Sequence, residues 1–277
     1  MRVTRTALFH AAMALGAAVM VYPLLWLLGN SLGSSQSIVS GSGLTVLPQH
    51  PGFANYAAGW NGPFGFTFAR YILNSLLVAV ASVAGAMVSC SMTSYAFARL
   101  KFRFKRLWFA LMLSSLLLPY EVLVIPQYLE FNQAGLTNTY WPLILPSVFA
   151  QNAFMVFLVV QFVRGIPREL DEAAQLDGAG HFAIYRRIIL PLSVPALATA
   201  GVLTFLSSWM NFIGPLIYLN SSRLYTLPLG LAQFAGQGAD VAWGPLLAMS
   251  AVSLAVPFLV FTFLQRYIIA GIATELR

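Results

Sequence analysis

The sequence predicts an all-α integral membrane protein, six transmembrane helices forming a single domain over residues 1–277. Three observations predict it. Hydrophobic residues make up 59% of the chain and charged residues only 8%, whereas a soluble domain carries about 25% charged residues. The apolar residues gather into runs about as long as the roughly 20 residues that carry a helix across the hydrocarbon core. The charges, finally, are unevenly placed: of the 15 basic residues, only Arg70 and Arg223 fall outside the termini and alternate loops.

The spans can be justified in order. The first, near 7–28, follows Arg2 and Arg5. Its apolar stretch exceeds the 7–15 residues usual in a secretory leader, and no small-x-small site follows Leu28, so it reads as a retained span. The segment Ser31–Phe68 is rich in Gly and Ser and has no sustained period, which predicts an ordered connection without long helices. The second span, near 71–98, ends in a basic loop holding Arg99, Lys101, Arg103, Lys105 and Arg106. The third covers about 107–126, the fourth 141–163, the fifth 189–219 and the sixth 244–265. Tilt or bending accommodates the longer ones. Pro119, Pro126, Pro191, Pro195, Pro215 and Pro257 each remove a backbone donor, so bends are expected there.

The basic asymmetry is the positive-inside bias. It places both termini and the loops around 99–106 and 164–188 in the cytoplasm. The positive net charge therefore reports orientation, not a nucleic-acid partner. Other classes are excluded by what the chain lacks. Cys90 is its single cysteine, which rules out an intrachain disulfide. His10, His50 and His181 are scattered and suggest no metal site. Lys101 and Lys105 follow Leu100 and Phe104, not the glycine a phosphate loop requires. No nucleophile, base and acid stand in a recognisable pattern, so catalytic residues, metals and a bound cofactor are not expected, and the chain reads as no enzyme.

The largest acidic cluster lies in the loop 164–188. Ile166-Pro167 followed by Arg168-Glu169-Leu170-Asp171-Glu172 looks like a helix start, with proline at its first position and acids in its first turn. Leu170, Ala173, Ala174 and Leu176 give it a small apolar surface, and Gly178 and Gly180 end it. A second helix from about Phe182 leads through Arg186 and Arg187 into Leu190-Pro191. Small side chains permit close approach by a partner, while Glu172 and Asp177 offer charges for pairing. Composition alone favours an ordinary amphipathic surface loop.

The spacing separates these readings. Glu172-Ala173-Ala174, three residues, Gly178, nine residues, Ile188, one residue and Leu190-Pro191 is similar to the Glu-Ala-Ala loop of ABC-importer permeases. Asn74-Ser75-Leu76, Leu118-Pro119, Ile125-Pro126, Gly135-Leu136-Thr137-Asn138-Thr139 and Tyr225-Thr226-Leu227-Pro228 resemble the carbohydrate-uptake branch of that family, similar to its maltose-type second permease. So does Gln265-Arg266-Tyr267 with Gly271, and the resemblance covers about residues 70–271. It implies a type I importer permease in a bacterial cytoplasmic (inner) membrane. A second permease, two ATPase subunits carrying ATP and Mg, and an extracytoplasmic solute-binding protein would be its partners. It also implies that a coupling helix within 168–180 docks on an ATPase, through Glu172, Ala173, Ala174, Asp177 and Gly178, with Leu190 and Pro191 closing the motif.

The chain departs from the branch at Trp209-Met210-Asn211-Phe212-Ile213-Gly214-Pro215-Leu216, where the usual Trp-Asn-Asp-Phe-Leu-Trp-Pro-Leu loses an acid and a ring. Ala270 likewise replaces a usual basic residue. Candidate residues for a solute path are Asn74, Glu121, Gln151, Asn152, Trp209 and Asn211. The amides have an equally good use as interhelical hydrogen-bonders, Trp209 as an interface anchor, and Glu121 as a group at the watery end of a bent span. The rival reading is a secondary transporter or channel working without an ATPase. Such proteins usually keep intramembrane charges and inverted repeats, of which the chain shows almost none. Disaccharides, amino sugars, polyols and glycerol phosphate derivatives all fit as solutes.

Overall fold

The structure, a computed structural model, describes residues 2–35, 38, 46, 48, 50–62, 65–236 and 241–273. Every regular element among them is helical. Four helical segments are long and apolar enough to cross a membrane: Leu8–Asn30, Phe68–Arg99, Trp141–Gly165 and Trp243–Gln265. Two further segments qualify only as bent pairs, Lys105–Leu117 with Tyr120–Gln133 and His181–Leu192 with Val194–Trp209. Counting each pair once gives the six spans expected from the sequence. Arg277, one of the basic residues used to orient the chain, lies outside the described residues.

The chain divides into two compact units, one of residues 1–72 and 229–256, the other of residues 73–228 and 257–277. In the first, α1 (Arg2–Asn30) is followed by the short α2 (Ala54–Asn61). Ser31 Oγ meets the Tyr56 hydroxyl at 2.8 Å, and Asn55 Nδ2 donates to the carbonyls of Ser31 and Gly33. These bonds pin the chain where it leaves α1. Phe68 and Tyr71, both fully buried, open α3 (Phe68–Arg99) and meet edge to face.

The second unit holds the larger core. On α7 (Ala153–Gly165), Val156, Val159, Val160 and Val163 fall at helical spacing on one face and are fully buried. They pack with Cys90, Tyr95 and Ala98 of α3 and with Ala196, Leu197 and Ala200 of α10 (Val194–Trp209). In lipid, close van der Waals contact replaces the hydrophobic drive. That explains the small residues Ala196, Ala200 and Gly201, the last within 3.4 Å of Met87 Sδ if it carried a Cβ.

The third and fifth spans bend, as their prolines led one to expect, and the fourth is interrupted as well. The third, near 107–126, breaks at Leu118. Its first half, α4 (Lys105–Ser114) and a 3-10 turn to Leu117, meets α5 (Tyr120–Gln133) at 104°. Leu118 is extended, at φ −85° and ψ 120°, because the ring of Pro119 disfavours the helical region for the residue before it. The fourth is α6 (Trp141–Val148) and α7, separated at residues 149–152, where Ala150 takes φ 53°. The fifth begins inside the loop, with α9 (His181–Ile184), a π-turn Tyr185–Ile189 and a short turn Leu190–Leu192, then bends 72° into α10. Pro195 sits in the first turn of α10, where its missing N–H costs nothing. Beyond Trp209 the helix stops, and α11 (Ile213–Tyr218) restarts with Pro215 inside. The sixth, α12 (Trp243–Ala273), accommodates Pro257 without breaking.

Candidate functional site

Two places gather the residues singled out from the sequence. The first is the Glu-Ala-Ala loop. Its helix α8 (Glu169–Leu176) starts after Arg168, so Pro167 precedes the helix instead of opening it. Ile166 is extended for the same pre-proline reason, at ψ 131°. Glu169, Asp171 and Glu172 occupy the first turn, where the helix dipole favours them. The C-terminus closes as a Schellman turn: Ala179 N donates to Ala174 O at 2.9 Å and Gly178 N to Gln175 O at 3.0 Å. Gly178 adopts φ +81° and is the glycine this turn requires. Gly180, at φ −75°, caps the next helix with ordinary backbone.

The exposed face of α8 carries Glu172, Ala173, Gln175 and Leu176, followed by Asp177 and Gly178. Leu176 is 90% exposed. Ala174 and Ala179 turn inward against the core, as Leu190 does further along, while Pro191 is exposed. The acid that pairs within the chain is neither Glu172 nor Asp177. Asp171, 8% exposed, brings Oδ2 to 3.0 Å from Arg99 Nε, and Arg99 Nη2 donates to the Ile166 carbonyl at 2.6 Å. The contact with Asp171 is an ion pair without hydrogen-bond alignment at Nε, and Oδ1 has no hydrogen-bond partner among the described residues. Sequence reasoning missed this pair. The available signal was a basic residue closing one apolar span and an acid on the inward side of a short amphipathic helix.

The second place is a cavity of about 570 Å³ within the larger unit. Gln151, Asn152 and Asn211 all line it, and each sits at or beside a break in a span. Asn152 Oδ1 accepts from Met155 N at 3.3 Å and caps α7, while Asn211 Oδ1 accepts from Gly214 N at 3.0 Å where α11 restarts. A cap uses only the side-chain oxygen, and neither amide nitrogen has a hydrogen-bond partner among the described residues. Ser82, Ser207, Ser208, Gln127 and Tyr120 are among the other polar residues of the wall, and no residue in it is charged. Such a surface can donate to and accept from a neutral hydroxylated solute, and it offers no countercharge to an ion.

The other three candidates lie elsewhere. Asn74 donates through Nδ2 to the carbonyls of Arg223 and Tyr225 at 3.0 and 2.9 Å, fastening a loop to α3. Trp209 is 3% exposed and stacks on Phe205 one turn before it. Glu121 is exposed in the first turn of α5 and does not line the cavity, although Tyr120 does. Ser82 and Tyr120 were not among the candidates, because a serine in an apolar span and a tyrosine after a proline carry no pattern of their own.

Bent apolar helices around a neutral polar cavity describe a multi-pass membrane protein. The comparisons with known proteins specify it further. Residues 83–274 match the family described as binding-protein-dependent transport system inner membrane component, and the chain belongs to that family. It is 31% identical over 268 residues to the diacetylchitobiose uptake system permease of Streptomyces coelicolor, covering 96% of this chain and 87% of that one. It is 37% identical over 202 residues to the arabinooligosaccharides transport system permease of Halalkalibacterium halodurans, covering 72% and 70%. Its fold is similar to a chain in the crystal structure of a bacterial ABC transporter that imports alginate, with a TM-score of 0.82 at 21% identity over 97% of this chain and 98% of that one. The family's members are transport permeases, not enzymes.

Proposed function

We propose that this chain is one permease subunit of an ATP-driven importer for neutral sugars of oligosaccharide size. It pairs with a second permease to enclose the translocation path. Two ATPase subunits bind ATP and Mg, and an extracytoplasmic binding protein delivers the solute. In this reading the chain sits in the cytoplasmic membrane of a bacterium with both termini inside, as its basic asymmetry requires.

The observation that carries the proposal is the display of the Glu-Ala-Ala loop. The motif's Glu172, Ala173, Asp177 and Gly178 are all exposed, while Ala174, Ala179 and the Arg99–Asp171 pair fasten the loop to the core. A rigidly backed, small-residue helix surface suits docking into a partner's groove, because packed contacts pass on displacement with little compression. The neutral cavity and the sugar-named relatives support the solute class.

The test is purification of the tagged chain from its native membrane in mild detergent, with mass spectrometry of its companions. Recovery of an ATPase and a second permease is expected. Recovery of the chain alone, under conditions shown to preserve such complexes, overturns the importer reading in favour of a transporter working without an ATPase.

A further inference from the structure

Apolar packing apart, the side-chain hydrogen bonds and the ion pair described between the Glu-Ala-Ala loop and the rest of the unit fall on one stripe of one helix. Ser91 Oγ meets the Tyr185 hydroxyl at 2.8 Å. Tyr95 donates its hydroxyl to the His181 carbonyl at 3.1 Å, and its ring lies 5.4 Å from that of Tyr185. Arg99 reaches Asp171 and the Ile166 carbonyl. Ser91, Tyr95 and Arg99 recur every fourth residue, so they share a face along the last turns of α3. Between them they hold the loop where it leaves α7, on α8, at the start of α9 and just past its end.

The same helix reaches the cavity. Ser82, Ala86 and Cys90, again every fourth residue, line its wall. From Phe68 to Arg99, α3 runs as one 32-residue helix with no proline inside. The covalent route from the loop into α10 is different in kind. It passes a π-turn at Tyr185–Ile189 and a 72° bend around Ser193, so the regular helical hydrogen-bond ladder is interrupted along it.

We propose that Ser91, Tyr95 and Arg99 are positioning residues that carry displacement of the Glu-Ala-Ala loop directly into α3, and through it to the cavity wall at Ser82, Ala86 and Cys90. The stripe is the stiff limb, and the covalent route into α10 is the compliant one. This rests on the reading that an ATPase docks on the loop.

The test uses the complete importer complex in lipid nanodiscs, with Cys90→Ala in subunits otherwise free of cysteine. Spin labels are placed at Val80→Cys on α3 and, separately, at Val194→Cys on α10. Both positions are exposed and outside the stripe. The probe is Mg-ATP with orthovanadate, which traps the ATPases closed. With the stripe intact, both labels change line shape on trapping. In Ser91→Ala/Tyr95→Phe, which removes two hydroxyls and little volume, the response at 80 is lost and the response at 194 is kept.

Retention of both responses overturns the proposal. Loss of both, in a complex that still holds its ATPases, overturns it too, since the contacts then only maintain the loop. If the double variant fails to assemble, Arg99→Lys, which keeps the charge and gives up the planar fork, is expected to show the same selective loss at 80. An intact-stripe complex with no ATPase, or with no response at either label, removes the docking reading and the proposal with it.

Discussion

The Ala179 N–H donates to the Ala174 carbonyl at 2.9 Å, crossing over Gly178 to close the helix that carries the Glu-Ala-Ala motif. The bond forms only because Gly178 takes φ +81°, a region that costs other L-residues roughly 1–2 kcal/mol. A Cβ at this position meets nothing within 4 Å, so the cost of substitution is conformational and not steric. Gly178→Asn is therefore expected to keep most transport, Gly178→Ala less, and Gly178→Val least. Uptake assays on membranes with matched expression check the order, and equal activity of the Asn and Val variants would refute it.

Glu172 is exposed and makes no ion pair within the described residues. Glu172→Lys should leave membrane insertion and thermal stability within about 0.5 kcal/mol of the parent, as surface changes usually do, while abolishing transport. Normal uptake by this variant contradicts the docking role of the loop.

Asp171 behaves oppositely. Its partner Arg99 has a side chain only 4% exposed, and removing one member of such a pair leaves an uncompensated buried charge, at a cost of about 3–5 kcal/mol. Arg99→Ala is expected to lower the unfolding temperature of the purified protein markedly. Arg99→Met with Asp171→Leu, which removes both charges, should recover most of the loss. A double variant no better than the single one would show that the pair does more than neutralise itself.

Two glycines make a paired test of packing. A Cβ at Gly230 would stand 2.6 Å from ring atoms of the fully buried Tyr71, whereas one at Gly16 meets nothing within 4 Å. Overpacking costs about 1–3 kcal/mol, so Gly230→Ala should destabilise by that amount and Gly16→Ala should not. Thermal unfolding in one detergent compares them directly.

Asn152 and Asn211 join structure to transport. Each accepts a backbone N–H from the first turn of a restarted helix and lines the cavity. Replacing either by alanine removes a cap worth about 1 kcal/mol and a donor to the solute. Replacement by aspartate keeps the cap and places a charge in a neutral wall. Both changes at each position are expected to reduce solute-stimulated ATP hydrolysis, the aspartates with the smaller loss of stability. Wild-type stimulation in both aspartate variants would separate the cavity from the solute path.

The architecture was legible because lipid imposes coarse rules that composition records. A span must be apolar for about 20 residues, and basic loops must alternate. The Glu-Ala-Ala loop was legible too, since Pro167, the first-turn acids and Gly178 act through local backbone physics that needs no partner. The bends were only half legible. Pro119 announced a break but not its 104° angle, and Ala150 gave no sign of the interruption it occupies.

By itself, the sequence determined the solvent, the number of spans, their order, and the loop that a partner would meet, because each depends on residues near one another in the chain. The tertiary structure decided which residues of those segments share a space. It separated Asn152 and Asn211, which meet at one cavity, from Asn74, which fastens a loop. It also joined Arg99 to Asp171 across two helices. Contacts of that kind depend on where bent helices bring distant turns together, and no local period in the sequence encodes that meeting.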